Sequence, residues 1–364
     1  MNNKLVKSPL HRWHIDHGGT LIWDDYYPWV WTHGPDSMEE YEAVRNGVGL
    51  LDLFSLFVYE VKGPEADKFI QRTFTNLVYT MEAGQVRYGP FVDENGIMMD
   101  EGCVYKFGRD NYLVIANGPG IQGQMRHYAR DLDAEIENIT DKRATIGVQG
   151  PKSLETLQSL VDQDISDLKF FRFKTGLTVA GKECWISRTG YSGEKGYEVN
   201  VDAKDALHVW EALVEKGGVP FGVEAIEILR VEAGLMLIYI DYRLNDMSPW
   251  DLSMDMSIKL HPDTVGTKAL EAYRKVLPRR FKTIKIEGED LPEHLSGVFA
   301  DGEPVGLIKS PVKSPLCGVI ALAVMDTPYG EDGTKVEVII DGKHVPAEVG
   351  PLSIFDPDKK KLRG

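Results

Sequence analysis

The sequence predicts an α+β fold followed by a small all-β barrel or sandwich, on three observations. Short strands alternate with amphipathic helices from about residue 40 to 260, with antiparallel partners of ferredoxin-like type. From about residue 278 strands recur between Asp-Gly turns, at Asp301-Gly302, Asp332-Gly333 and Asp341-Gly342. At 364 residues the chain is long enough for two or three domains. A boundary near residues 275–280 divides it into regions 1–277 and 278–364.

The elements follow in order. Residues 37–45 read as a helix capped by Ser37, with Glu40 completing a capping box. Residues 58–63 alternate as a strand, and residues 64–73 follow as a helix with Pro64 in its first turn. Residues 112–116 form an apolar strand before the Gly118-Pro119-Gly120 break. Residues 144–149 form another, closed by Gly150-Pro151 before a helix over 152–161. Helices are expected over 203–216, stopped by Gly217-Gly218, and over 224–237. In the last region strands fall at 281–286, 305–308, 319–324 and 335–340, and the Lys-rich stretch 359–361 reads as a frayed tail.

A net charge of −15 argues against nucleic acid or an anionic membrane as partner. The longest apolar runs, such as 319–324, are strand-sized, and the N-terminus has no apolar leader segment, so a cytoplasmic protein is expected. Cys103, Cys184 and Cys317 are far apart and odd in number, which fits a reducing compartment and excludes a cysteine-built zinc site. His14, Asp16 and His17 suggest metal ligation, but no third ligand lies nearby in sequence, and a surface or capping role is the expectation.

Residues 190–199, Gly-Tyr-Ser-Gly-Glu-Lys-Gly-Tyr-Glu-Val, are the most informative segment. Glycine lets backbone approach a ligand closely, and the residues from Tyr197 alternate as a strand. A buried carboxylate at Glu198 could accept two N–H groups from a flat heterocycle, as Glu does from a base edge. A glycine-rich hairpin without a ligand is the alternative. The segment resembles the Gly-Tyr-Thr-Gly-Glu-Asp-Gly-Tyr-Glu-Ile motif of the glycine-cleavage T-protein family. Further landmarks occur in the same order: Ala43-Val44-Arg45 with Gly49-Leu50-Leu51-Asp52, Gln149-Gly150-Pro151, Leu229-Arg230-Val231-Glu232-Ala233-Gly234, Ser248-Pro249 and Ser314-Pro315. The resemblance runs from about residue 40 to 320.

That resemblance implies a three-lobed cloverleaf with tetrahydrofolate at its centre. It implies that Glu198 holds the pterin, with Arg230 and Tyr88 near the folate. Counting from Tyr88, or back from Val104-Tyr105, puts Asp100 on the family's catalytic aspartate. An anionic folate tail would need a basic pocket working against the acidic field. Arg230 and Glu232 also read as ion-paired helix residues, and Asp100-Glu101 as the polar end of a strand.

The folate N5 amine accepts either an aminomethyl unit, giving methylene-folate, or an intact methyl. The protein aligns donor carbon and amine, while Asp100 stabilises positive charge or takes a proton. Departures from the family pattern decide between these. The family's two histidines around this first segment are replaced by Glu40-Tyr41-Glu42 and by Leu53-Phe54-Ser55-Leu56, and the glycine after Tyr239 is Ile240. Trp23, Tyr26, Tyr27, Trp29 and Trp31 could wall a methylated donor by cation–π contact or pack a lobe interface. The expectation is therefore a demethylase moving methyl from a small O-, S- or N-methylated substrate to tetrahydrofolate, resembling dimethylsulfoniopropionate and aromatic O-demethylases. Tyr191, Tyr239 and His14 are the candidate acids for the leaving group. The alternatives are glycine-cleavage aminomethyl transfer, with a lipoyl carrier protein as partner, and a non-catalytic folate-binding module.

Overall fold

A computed structural model describes residues 7–23 and 28–364, except the side chain of Trp23. Tyr26 and Tyr27 therefore lie outside the described residues, as does the Trp23 ring.

Two α+β lobes share one plan. The first runs Phe57–Lys62, helix Ala66–Gln71, three strands Val86–Val92, Met98–Lys106 and Asn111–Ala116, helix Ile121–Tyr128 and strand Glu135–Asn138. In the sheet, Met98–Lys106, Asn111–Ala116, Phe57–Lys62 and Glu135–Asn138 lie side by side in the ferredoxin-like order, and Val86–Val92 extends the edge. The second lobe repeats this sequence of elements: Arg143–Gln149, helix Ser153–Gln158, strands Phe173–Val179, Lys182–Ser187 and Gly196–Asp202, then helix Ala206–Glu215 and the short strand Val219–Pro220. Its sheet runs from Phe173–Val179 through Lys182–Ser187, Gly196–Asp202 and Arg143–Gln149 to Gly49–Asp52 and Val219–Pro220. Only that last pairing is parallel.

Each sheet buries one face under its own helices: Phe69, Ile70, Ile121 and Met125 in the first lobe, Leu157, Val209, Trp210 and Leu213 in the second. The remaining faces meet. Val58, Val86, Tyr105, Leu113 and Ile115 of the first sheet pack on Phe173 and Trp185 of the second. This face-to-face junction places polar residues from both lobes beside one another.

The third unit is a closed six-stranded barrel, entered at Arg279–Ile286 and closed when Lys343–Gly350 returns to pair with that strand. A single long strand, Glu303–Ser314, replaces the short one expected at 305–308. A central cluster joins all three units: Tyr41 and Val44 from helix Ser37–Asn46, Leu229 and Val231 from helix Val223–Glu232, and Val312, Ile320 and Leu322 from the barrel.

Two local expectations change. Asp36, not Ser37, caps the first long helix, accepting from Met38 N at 2.8 Å. Glu40 turns away from the capping box and accepts from His33 N, Gly34 N and Gly222 N, tying the helix to two other segments. The tail is not frayed: Lys360–Arg363 form a helical turn whose Leu362 and Arg363 carbonyls accept from Arg188.

No helix among the described residues is long and apolar enough to cross a membrane.

Candidate active site

Glu198 stands where the alternation of its strand puts it. Tyr197, Val199 and Val201 enter the core under the second lobe's helices, so Glu198 faces the opposite way, toward the first lobe. Its strand neighbours are Ser187 on one side and Gly147 on the other. All its protein hydrogen bonds converge on one oxygen: Oε2 accepts from Thr189 Oγ1 at 2.6 Å, Tyr105 OH at 3.3 Å and Ser187 Oγ at 3.5 Å. Burial raises the Glu198 pKa, and the three hydroxyls oppose that rise. Oε1 has no hydrogen-bond partner among the described residues, so the carboxylate is oriented through one oxygen and open through the other. That arrangement fits a flat ligand edge carrying two N–H groups, as a pterin does.

The glycines of residues 190–199 have another purpose than the one expected. A Cβ on Gly190 or Gly196 would lie 2.1 Å or 2.4 Å from the Gln149 amide. That amide is buried and bonded to Thr189 O, Tyr197 O and Ser192 Oγ. Gly190 and Gly196 make room for a side chain that fixes the bend, while a Cβ on Gly193 would meet Ala233 Cβ at 2.6 Å.

The first lobe contributes the Met98–Lys106 strand. Tyr105 and Cys103 share a face with Tyr88, which pairs opposite Cys103, and Tyr105 reaches Glu198. Glu101 lies on this same face. Asp100 points the other way and is fully buried. Its Oδ1 accepts from Glu101 N at 2.7 Å and from Asn117 N and Nδ2 at 3.3 Å, and its Oδ2 accepts from Gly118 N at 2.8 Å. Burial outweighs these bonds and pushes Asp100 up to about 6.

Arg230 is placed differently from the folate-facing role the resemblance implied. It is fully buried and its donors are in use: Nε and Nη2 on Glu227 at 2.8 and 2.5 Å, Nη1 on Asp241 at 2.8 Å and Leu235 O at 3.1 Å, Nη2 also on Ser310 at 2.8 Å. Asp241 in turn accepts from Leu237 N at 2.7 Å. Arg230 thus holds the loop that carries Tyr239, whose backbone is left-handed (φ +68°) and whose side chain is 57% exposed. The same loop supplies Met236 O, which accepts from Tyr191 OH at 2.5 Å. Burial pushes the Tyr191 hydroxyl pKa well up. Glu232 pairs not with Arg230 but with Arg45 at 2.5 Å, Tyr41 at 2.9 Å and Ser314 at 2.5 Å.

His14 is not at the surface. It is 1% exposed, packs edge-on against Trp210 and bonds Asp52 Oδ2 through Nε2 at 3.0 Å, within the second lobe's core. Among the described residues no group of three or more His, Cys, Asp or Glu side chains could hold a metal. Of the aromatic cluster, Trp29 approaches Phe54, with ring centroids 6.0 Å apart. Sequence reasoning missed Tyr105, Thr189 and Ser187, which orient Glu198. Thr189 was discoverable, since it lies one residue before the glycine-framed segment. Tyr105 was not, because its contact spans 93 residues.

The architecture defines a class: a ferredoxin-like lobe and a second α+β lobe, whose sheet inserts Gly49–Asp52 before its last strand, meet over a polar seam, with a closed barrel attached. Family models match along the chain, the GCVT N-terminal domain over residues 10–262 and the glycine cleavage T-protein C-terminal barrel domain over residues 279–356. The aminomethyltransferase of Caldanaerobacter subterraneus subsp. tengcongensis is 34% identical over 99% of this chain and 98% of its own length. That of Alkaliphilus metalliredigens is 33% identical over 98% and 99%. The crystal structure of glycine cleavage system aminomethyltransferase T from Bartonella henselae superposes with a TM-score of 0.90 at 22% identity, over 97% of this chain and 99% of that one, which shows the shared fold. The chain belongs to the glycine cleavage T-protein family, and it is a one-carbon transferase.

Proposed function

We propose that the protein transfers an aminomethyl-derived one-carbon unit to tetrahydrofolate, with a lipoyl-type carrier presenting the donor. The relatives' shared activity supports this over the demethylase reading expected from sequence departures. One observation carries the binding half: Glu198 is locked by three hydroxyls on one oxygen and uncommitted on the other. Tetrahydrofolate supplies a nucleophilic amine when bound. Glu198 holds its pterin edge, and Tyr88 and Tyr105 flank that position on the facing strands. Asp100 lies on the opposite strand face from Glu198, where Glu101 N, Asn117 and Gly118 N hold it, so it fixes the strand. The carboxyl placed to take the proton released as the new C–N bond forms is Glu101, on the Glu198 face. Arg230 positions the 236–242 loop, and through it Tyr191 and Tyr239, instead of touching the folate.

A second reading, methyl transfer from a small methylated donor, is favoured by the Trp29–Phe54 aromatic pair, Phe54 lying in the segment that has lost a family histidine. Mass spectrometry of the folate product decides between them. Methylene-folate plus ammonia from an aminomethylated lipoyl carrier supports the first. Formation of 5-methyl-folate from a free O-, N- or S-methylated compound supports the second. Folate uptake with no turnover of any donor would leave a binding module. Glu101→Gln should lower kcat by about 10²-fold or more under either catalytic reading, and Asp100→Asn by less, as expected of a positioning residue. The three unpaired cysteines accord with a cytoplasmic site of action.

A further inference from the structure

We propose that Tyr242 is a positioning residue for the proton-accepting carboxyl: its hydroxyl, delivered by the loop that Arg230 holds, donates to the open oxygen of Glu101 and favours the ionised form. The role rests on the transfer reading above and deepens it by naming what governs the base. The loop is stitched to the strand that bears Glu101. Asn245 N donates to Met98 O at 2.9 Å, and Met98 N donates to Met247 O at 2.9 Å. Tyr239 N donates to Tyr242 O at 2.7 Å, so the chain folds back on itself just before it joins the strand. Asp241, next to Tyr242, is pinned by Arg230 Nη1 at 2.8 Å and by Ser310 Oγ at 2.6 Å. These bonds hold Tyr242 in the central apolar cluster with Met98 and Met236, and Tyr88 and Tyr191 pack against that cluster.

Two buried oxygens are left over in the same place. Tyr242 is 2% exposed and Glu101 6%, and neither the tyrosine hydroxyl nor Glu101 Oε2 has a hydrogen-bond partner among the described residues. A buried polar atom without a partner is costly and rare. Here a donor and an acceptor are stranded side by side. Phenylalanine would fill the same apolar space without burying a hydroxyl, so packing does not account for a tyrosine at this position.

The titratable groups around the pair come from several elements. Cys103 and Asp100 belong to the strand of Glu101, Asp241 to the loop and Tyr191 to the glycine-framed segment. Arg230 approaches from its helix but is committed to Asp241 and Glu227. Burial, with the charge of Asp241 added, pushes Glu101 up to about 8, and Tyr242 opposes that rise. Burial also pushes the Tyr242 hydroxyl pKa well up. The tyrosine therefore stays protonated, acts as a donor throughout and gives up no proton in the reaction.

Tyr242→Phe removes the hydroxyl and keeps the ring. Wild-type kcat/KM should climb as pH rises through about 8, where Glu101 ionises. In Tyr242→Phe that climb should move up by about one pH unit or more, as fits the loss of a hydrogen bond to a charged group. Turnover at pH 7 should then fall about tenfold or more, with folate affinity by calorimetry within about threefold of wild type. The ligand-free protein gives a readout that needs no turnover. The infrared C=O stretch that Glu101→Gln abolishes should titrate away near 8 in the wild type and at higher pH in Tyr242→Phe. An unmoved pH limb with an unmoved infrared titration overturns the proposal. A lower urea midpoint with both titrations unchanged marks a structural tyrosine and overturns it equally. If the wild type takes up folate but transfers nothing from any donor, the transfer reading falls instead, and this role with it.

Discussion

Two of the buried charge clusters differ in how completely they are satisfied. Around Arg230 and Glu232 every charge meets its opposite: Arg230 with Asp241 and Glu227, Glu232 with Arg45 and two hydroxyls. Along the seam between the lobes, Glu198 and Glu101 have no cation among their bonded partners, and each keeps an oxygen free of hydrogen bonds to the described residues. The first cluster spans helices, loop and barrel, and its paired charges mark it as structural, although Arg45 Nε has no partner among the described residues. The second has open valences facing the seam, which is what a ligand site requires. Residue type alone distinguishes nothing here, since both contain the charged residues of family motifs.

The largest test of the comparison strips the closed cluster. Arg230→Ala should destabilise the fold by about 3–5 kcal/mol, because Asp241 would be left buried and unpaired. Urea unfolding measures it, and a loss below about 1 kcal/mol would show that the cluster is not structural. Glu198→Gln comes next. It should weaken folate binding by about 10–100-fold, the size of a lost charged hydrogen bond, while leaving unfolding within about 1 kcal/mol of wild type. Because the folded pKa of Glu198 is raised and the ion is what accepts N–H groups, wild-type affinity should decline as pH falls toward that pKa, and calorimetry of Glu198→Gln should show a flatter profile.

The third test uses stability against pH. A carboxyl whose folded pKa lies above its unfolded value binds extra protons on folding, so its favourable contribution is greatest at low pH. That contribution is lost as pH rises from the unfolded value toward the folded one. For Glu101 the window runs from 4.5 to about 8. Across it, the stability of Glu101→Gln relative to wild type should increase, by thermal unfolding at stepped pH. The smallest effect lies outside both clusters. Asp36→Ala should cost about 1 kcal/mol of helix capping, whereas Ser37→Ala should stay within about 0.5 kcal/mol.

Much of this was legible in the chain. The barrel strands follow from Asp-Gly punctuation, and the ferredoxin-like order of the first lobe from its strand–helix rhythm. Glu198 follows from alternation after a glycine-framed bend, a pattern with a period of two that survives without tertiary information. The helices came out shorter than read: residues 64–73 hold a helix only at Ala66–Gln71, and residues 152–161 only at Ser153–Gln158, since packing and turns claim the ends. The capping box at Ser37 failed because Glu40 found three backbone donors from remote segments. His14 was misplaced for a related reason, its partner Asp52 being 38 residues away.

What the sequence by itself determined is everything with a local cause: strand and helix periodicity, turn chemistry, and the identity of a carboxylate that must face away from an apolar row. What only the tertiary structure decided is which charges are free. Whether Arg230 greets a ligand or Asp241, and whether Glu101 is paired or left with an open oxygen, depends on groups brought together from distant parts of the chain. Pairing energies between buried charges depend on distance and burial, and neither quantity exists until the lobes have closed on one another.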